Sequence, residues 1–405
     1  MITYIVLQDV VTFRADWKRL VDPNAYSVVL LASLRARAGL DPQQAECFAS
    51  IVEVDPFDRE NIIEVVRSMQ LKEGAVRLVS NDEYSLRVMG EVGAELGIAG
   101  LRGSTYLPFT DKVEMKKRVA VHGLPVPAHR PFDPDEYARQ PDRYVAETVA
   151  VLKLPIFAKP VDSAGSENTA KLSSEAEVDA WARAHATARN FELDEYVTSG
   201  RLFHCDSIVV GRRVLHCEAC EYSHPNAEFL NGRPLGSIQI SRDSELYAKA
   251  LAYNQRVLSA FDELPDGATH LEFFLWHDEF VFLEIAARAP GGMVPQMHEK
   301  NMGMNYEELH FRSQMGLLDT VTTRRAAHCA WMWHPRHEGV VANRIDPPLV
   351  SDFLIDWHVE PGEHMCDPTS IRDRACSILF WSDDFETLQA DFAMLRSDYQ
   401  PVVLE

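Results

Sequence analysis

The segment His270-Leu271-Glu272-Phe273-Phe274-Leu275-Trp276-His277-Asp278-Glu279-Phe280-Val281-Phe282-Leu283-Glu284-Ile285 constrains the fold more than any other stretch of the chain. Two apolar, aromatic-rich runs flank a short polar step, the pattern of a β-hairpin. Centred on Asp278, the hairpin sets Glu272 opposite Glu284, because the two are equidistant from the turn. Directly opposed residues have Cβ atoms about 4.5–5.5 Å apart, and like charges there destabilise the pair. A divalent cation is the simplest neutraliser, and Mg²⁺ usually takes one or two carboxylates together with substrate phosphates. The spacing therefore points to a metal–nucleotide site. The alternative is that both carboxylates face water and the repulsion is tolerated.

Arg288 follows Glu284 and precedes Ala289-Pro290-Gly291-Gly292. A guanidinium beside the carboxylates grips a phosphate or a substrate carboxylate with paired hydrogen bonds, and glycines admit close backbone approach. Taken singly, Arg288 also reads as an ion-pair partner and Gly291-Gly292 as a plain turn. Lys159 ends the apolar strand Ile156-Phe157-Ala158, where an unpaired ammonium is costly, so it needs an anionic partner. The loop that follows, Ser163-Ala164-Gly165-Ser166, is small and donor-rich, suited to closing over phosphates and equally to forming a simple turn.

Composition limits the partners. With 40 Lys+Arg against 61 Asp+Glu, the net charge of −21 opposes phosphate backbones and anionic headgroups unless positive charge is concentrated locally. Neither nucleic acid nor a membrane is expected as partner. Seven scattered cysteines make no disulfide framework, so reduced thiols are expected. Met1 to Leu7 lacks the length, basic flank and cleavage site of a signal peptide, and no apolar run reaches the roughly 18 residues of a membrane span. The expectation is a cytoplasmic, soluble protein.

The 405 residues have room for several domains. Runs at Ile2 to Leu7, Val28 to Leu31, Ile51 to Val54 and Val76 to Val79 read as buried strands alternating with helices, a doubly wound α/β unit. Ser80-Asn81-Asp82-Glu83 reads as a capping box opening a helix through Leu86 and Met89. The first strand runs into Gln8-Asp9-Val10-Val11 without Gly-x-Gly-x-x-Gly, so the layering alone implies no dinucleotide. A helix opens at Asp111 and stops at Gly123-Leu124-Pro125, and another starts at Ser174. Strand pairs are expected near 202–218 and 270–285, a helix over 245–264, and short strands plus a helix from 385 to 395.

Taken in order, Asp111-Lys112, Lys159, the Ser/Gly loop, Asp194-Glu195-Tyr196-Val197, Glu272 and Glu284-x-x-x-Arg288 resemble the ATP-grasp superfamily. The resemblance implies a multidomain α/β and α+β chain: a Rossmann-like domain over 1–110, a small grasp subdomain over 111–200, a large one over 201–325, and a C-terminal subdomain over 326–405. It implies ATP and Mg²⁺, with Mn²⁺ as a substitute. Lys112 and Lys159 would contact phosphates, and Ser163, Gly165 and Ser166 would cover them. Asp194, Glu195, Tyr196 and Val197 would line the adenine and ribose pocket, with either Asp194 or Glu195 as its acid. Glu272 and Glu284 would hold metal, and Arg288 and Lys159 would be catalytic.

Residues 193–206 followed by Arg288 to Gly292 look most like the L-amino-acid ligase branch, which makes dipeptides or other amides. The reaction so implied is ATP-dependent joining of a carboxylate to an amine through an acyl phosphate, with small-molecule substrates and a homodimer as the possible assembly. Alternatives are a non-amino-acid carboxylate, a carrier-bound or peptide substrate, or an ATP-binding protein that has lost catalysis. Two departures stand out: Ala286 replaces the asparagine that commonly completes the second metal's shell, and Leu202 stands near where many members have an acid. Tyr222, His224, Gly291, Gly292 and His298 are the substrate candidates, against a reading as surface-loop residues. His204 and Asp206, two apart on one strand face, suit ligand recognition or a structural pair equally. Cys217-x-x-Cys220 with His216 and His224 has half the spacing of a zinc site and no second half at a comparable distance, so strand alternation explains it more simply.

Overall fold

The computed structural model describes residues 1–405 apart from Val11, Glu73, Ala164, Ser166, Glu167, Ser199 and Arg325. The first four strands, β1 (Ile2–Gln8), β2 (Tyr26–Ala32), β3 (Ser50–Glu53) and β4 (Val76–Val79), form a parallel sheet in the order β3-β2-β1-β4. Parallel neighbours need crossover connections; the helix Arg59–Ser68 makes the one from β3 to β4, and together with the helix Glu83–Glu95, which follows β4, it buries apolar residues of the strands such as Ile5, Leu7 and Leu78. The second of these helices is capped by Asp82, whose side chain accepts from the Tyr84 amide, and not by Ser80. Ser80 Oγ is turned away to donate to Leu7 O at 2.8 Å.

A second, antiparallel sheet comprises β5 (His129–Pro131), β6 (Ile156–Pro160), β7 (Ala170–Leu172) and β8 (Phe191–Glu195), ordered β5-β8-β6-β7. The helices Pro141–Leu152 and Glu175–Ala184 pack on it around Tyr144, Val178 and Trp181. As the sequence predicts, Ser174 caps the latter, accepting from the Glu177 amide at 3.2 Å.

The largest sheet has eight strands. It is built from β9 (Arg201–Val210), β10 (Arg213–Tyr222), β11 (Leu235–Gln239), β12 (Gly267–Trp276), β13 (Glu279–Ala286), β14 (His328–Pro335), β16 (Asp352–Trp357) and β18 (Arg374–Ser382). Their order is β13-β12-β9-β10-β11-β14-β18-β16. A three-stranded sheet of β15 (Gly339–Arg344), β17 (His364–Met365) and β19 (Val402–Leu404) lies beside it.

The helix Lys112–Val121 joins the sheets. Its Met115 and Val119 enter the same core as Phe203, Phe273 and Phe282 of the large sheet, and as Leu86 and Met89 of the first unit. Burying each such side chain is worth about 1.5–3 kcal/mol, so this shared core holds the site's walls in one packing arrangement. The helix expected over 245–264 ends at Ser259. No helix among the described residues is long and apolar enough to cross a membrane.

Candidate active site

The hairpin places its acids as predicted, but by a different route. The turn is His277-Asp278, both at positive φ, and Trp276 pairs with Glu279 and Phe273 with Phe282. Continued regularly, that register would set Glu272 against Leu283. A bulge beside Glu272 takes up one extra residue, so Glu272 pairs with Glu284. Leu283 and Glu284 consequently both line one cavity, where strict alternation would turn one of them away.

Glu272 is buried, and both its hydrogen bonds from His270 Nε2 (3.2 Å) and Asn226 Nδ2 (3.1 Å) reach Oε1. Burial pushes its pKa up, but the bond from His270 and that ring's charge outweigh burial and hold the carboxyl below its usual range. Glu284 has the opposite balance: burial raises it, Lys112 opposes, and Glu272 adds to the rise. Lys112 Nζ lies 3.8 Å from Glu284 Oε2 and donates to Ser163 O, while its backbone amide donates to Val161 O at 3.0 Å. The first turn of this helix, capped by Asp111, is thus tied to the loop after β6.

Lys159 finds the anions its strand position demands: Asp194 Oδ2 at 3.0 Å and Glu192 Oε1 at 3.5 Å, both on β8. The sequence reading missed a third member. Lys116, one helical turn after Lys112 and fully buried, bonds Glu192 Oε1 (2.8 Å) and both oxygens of Asp194 (2.7 and 2.6 Å). Burial pulls the Lys159 pKa down, but Asp194 and Glu192 raise it well above normal. Burial likewise pushes Asp194 up, and the two lysines hold it below its normal value. The only hint in the sequence was a lysine recurring at i+4 on a helix whose other face is apolar.

Arg288 was also incomplete as read. Its Nε donates to Glu83 Oε2 at 2.5 Å and its Nη1 to Ala289 O at 3.0 Å, while the Ala289 amide donates to Asn81 Oδ1 at 2.8 Å. Glu83, which reads in sequence as the last member of a capping box, instead orients the arginine from the N-terminal unit.

One cavity gathers Lys112, Lys159, Ser163, Gly165, Asp194, Glu195, Tyr196, Val197, Tyr222, Glu272, Glu284, Arg288, Gly291 and Gly292. Ser166 lies outside the described residues. His224 does not line it: its Nδ1 lies 3.0 Å from Pro234 O. His298 does not either, being fully buried behind the wall with Nε2 at 2.8 Å from Asp206 Oδ2. It is a helix residue, not a surface-loop one. Asp206 also takes His204 Nδ1 (3.0 Å) and His270 Nδ1 (2.7 Å), so His204 and Asp206 form a structural network under the site. Burial pushes the Asp206 carboxyl up, but attraction to His204 and hydrogen bonds from His204, His270 and His298 keep it well below its normal range. Cys217 and Cys220 are an odd number apart on β10 and point to opposite faces, which removes the half zinc site. Among the described residues, two buried triads have metal-compatible spacing, His204-Asp206-His270 and Asp206-Cys220-His298.

A small antiparallel sheet and a large one clasping a cavity of lysines and opposed glutamates define the ATP-grasp fold, and the chain has it. It is similar along its whole length to an L-amino acid ligase of Bacillus licheniformis: TM-score 0.71, 15% identity, 100% of this chain and 99% of that one. A biotin carboxylase domain of Hydrogenobacter thermophilus in complex with MgADP and bicarbonate aligns with a TM-score of 0.61 at 13% identity, covering 98% and 91%. In sequence, the chain is 27% identical over 251 residues to the L-arginine-specific L-amino acid ligase of Bacillus subtilis. That alignment covers 57% of this chain, and the chain spans about half (55%) of the relative's length. No family model matches this sequence.

Proposed function

We propose that the chain is an ATP-dependent carboxylate–amine ligase that forms an amide or dipeptide bond from an amino acid, releasing ADP and phosphate. The observation that carries this reading is the convergence, on one cavity, of two opposed glutamates, two lysines, the loop at Ser163 and Gly165, and an arginine oriented from a separate unit.

The donor set fits a hard divalent ion, since Glu272 and Glu284 are carboxylates on facing strands and Lys112 comes no nearer than 3.8 Å to Glu284. Mg²⁺, or Mn²⁺ in its place, would supply charge neutralisation to the phosphates there. Lys112 and Lys159 bind phosphate oxygens. Because Asp194 is committed to Lys116 and Lys159, we assign Glu195 as the nucleotide-pocket acid, with Tyr196, Val197 and Phe157 around the base.

The carboxylate oxygen of the acid substrate attacks the γ-phosphorus of ATP as the bond to the β–γ bridging oxygen breaks, giving acyl phosphate and ADP. The neutral amine nitrogen then attacks the acyl carbon, phosphate leaves with the C–O electron pair, and the nitrogen gives up one proton to solvent. Such chemistry needs positioning and charge stabilisation, not a protein nucleophile. Arg288, held at Nε by Glu83, stabilises the transferring phosphoryl group and the tetrahedral oxyanion.

The test is phosphate release across a panel of acids and amines. Release only when a particular amino acid and amine are both present supports the ligase; tight ATP binding without release under any pairing overturns it. Arg288→Ala would leave Glu83 without its cation, so Arg288→Lys is the sharper variant. It keeps the charge, loses the fork, and should lower turnover by about 10²–10³-fold with an unchanged Tm. Full activity in that variant removes Arg288 from the mechanism.

A further inference from the structure

Building on the ligase reading, we propose that the acid substrate is an amino acid with an uncharged apolar or aromatic side chain, seated against Trp331, Trp333 and Tyr222. Strand register places this wall. Glu272 pairs with His204, His204 with Cys220, and Tyr222, two residues on, with Ser237, which pairs with Trp331. Paired residues share a face, so the tryptophans lie on the same face as the glutamates, four strands across the sheet on β14. Trp333 and its partner Leu235 extend the wall, the two indoles meeting edge to face at 5.0 Å. All except the residues beneath the wall (His204, Cys220 and Ser237) line the cavity.

Two observations select an uncharged occupant, and a third gives it room. The cavity's charged side chains come from the helix at Lys112, from β6, β8, β12 and β13, and from Arg288; among the described lining residues of β10, β11, β14 and the Gly291-Gly292 turn there is none. A cationic side chain buried against Leu235, Trp331 and Trp333 would meet no acidic side chain of β11 or β14 among the lining residues, and an isolated buried charge is strongly disfavoured. Aromatic rings alone can attract a cation, but the Arg374 guanidinium already sits 4.2 Å from the Trp333 ring centroid and repels a second one. Gly292, at φ 60°, keeps the space open: a Cβ there would lie 3.0 Å from the Trp331 ring.

The substrate's other end has a partner too. Asn226 donates through Nδ2 to Glu272, which fixes its amide beside the acids, and its Oδ1 is buried with no hydrogen-bond partner among the described residues. That acceptor suits an α-amino group, with the carboxylate then directed to Arg288. The purine does not compete for the tryptophans, because Phe157 and Tyr196, 5.9 Å apart on the small-sheet side, line the cavity separately.

The experiment is calorimetric titration of the full chain, with Mg²⁺ and a non-hydrolysable ATP analogue, using phenylalanine, leucine and methionine against arginine, lysine and glutamate. The uncharged set should bind at least about tenfold more tightly. Ile371, half-buried on a loop at the cavity lip, offers the converse test. Ile371→Glu should weaken phenylalanine and strengthen arginine. Tighter binding of a charged amino acid by the unaltered chain, or equal binding of all six, overturns the pocket. Amino-acid-dependent phosphate release without side-chain preference overturns the pocket and leaves the ligase reading standing. Release with a non-amino-acid carboxylate and no amino-acid binding overturns both.

Discussion

Lys116 shows how a single residue is decided by its surroundings. In sequence it is one of several lysines on the Lys112–Val121 helix; in the fold it is fully buried between Glu192 and Asp194, with Lys159 on the other side. Two acids and two bases balance, so the strand lysine stays charged without leaving a net buried charge. Removing one partner of such a set costs about 3–5 kcal/mol, because the remaining charges are left uncompensated. Lys116→Met should therefore lower unfolding free energy by roughly that amount in urea denaturation. A loss below about 1 kcal/mol, the value of an exposed pair, would mean the cluster is not buried in solution. Lys159, Glu272, Glu284 and Arg288 were legible because a charged residue inside an apolar run stands out. Lys116 and Glu83 were not, because charged residues in helices are ordinary and their partners are remote in sequence.

At the scale of elements, local signals gave the strands and most caps, while contacts between elements supplied the exceptions. The hairpin's two-residue turn alone would misalign the glutamates, and the bulge corrects it. Helix Tyr306–Gln314 docks on both the first unit and the large sheet through His310, whose Nδ1 accepts from the Ala268 amide and whose Nε2 donates to Ser80 O, each at 2.8 Å. Gly267 makes room, since a Cβ there would lie 2.7 Å from this ring. Burial lowers the imidazole to about 4 from 6.5, so an unfolded chain takes up its proton first. The contribution of His310 is complete above pH 6.5 and is lost as pH falls towards 4. Urea unfolding across this window should show a falling midpoint for the unaltered chain and a shallower fall for His310→Gln, whose amide keeps one donor and one acceptor. Parallel profiles would refute the docking role.

For the whole molecule, a net charge of −21 sets the terms on which the proposed ligase would bind a triphosphate. The cavity concentrates Lys112, Lys159 and Arg288 but also holds Asp194, Glu195, Glu272 and Glu284, so in the proposed reaction a bound metal would supply much of the local positive charge. ATP affinity should fall far more with EDTA than with moderate salt, in calorimetric titrations of each; the reverse order would count against the two-glutamate site. The sequence by itself determined the alternating strands and helices, the hairpin, and the isolated charges in apolar runs, because hydrophobic periodicity and the cost of burying charge act locally. Only the tertiary structure decided that Glu83 orients Arg288, that Lys116 completes the ion cluster, that His298 sits behind the wall, and that Trp331 and Trp333 reach the cavity. Those choices depend on strand order across an eight-stranded sheet and on packing between distant segments, which no spacing along the chain encodes.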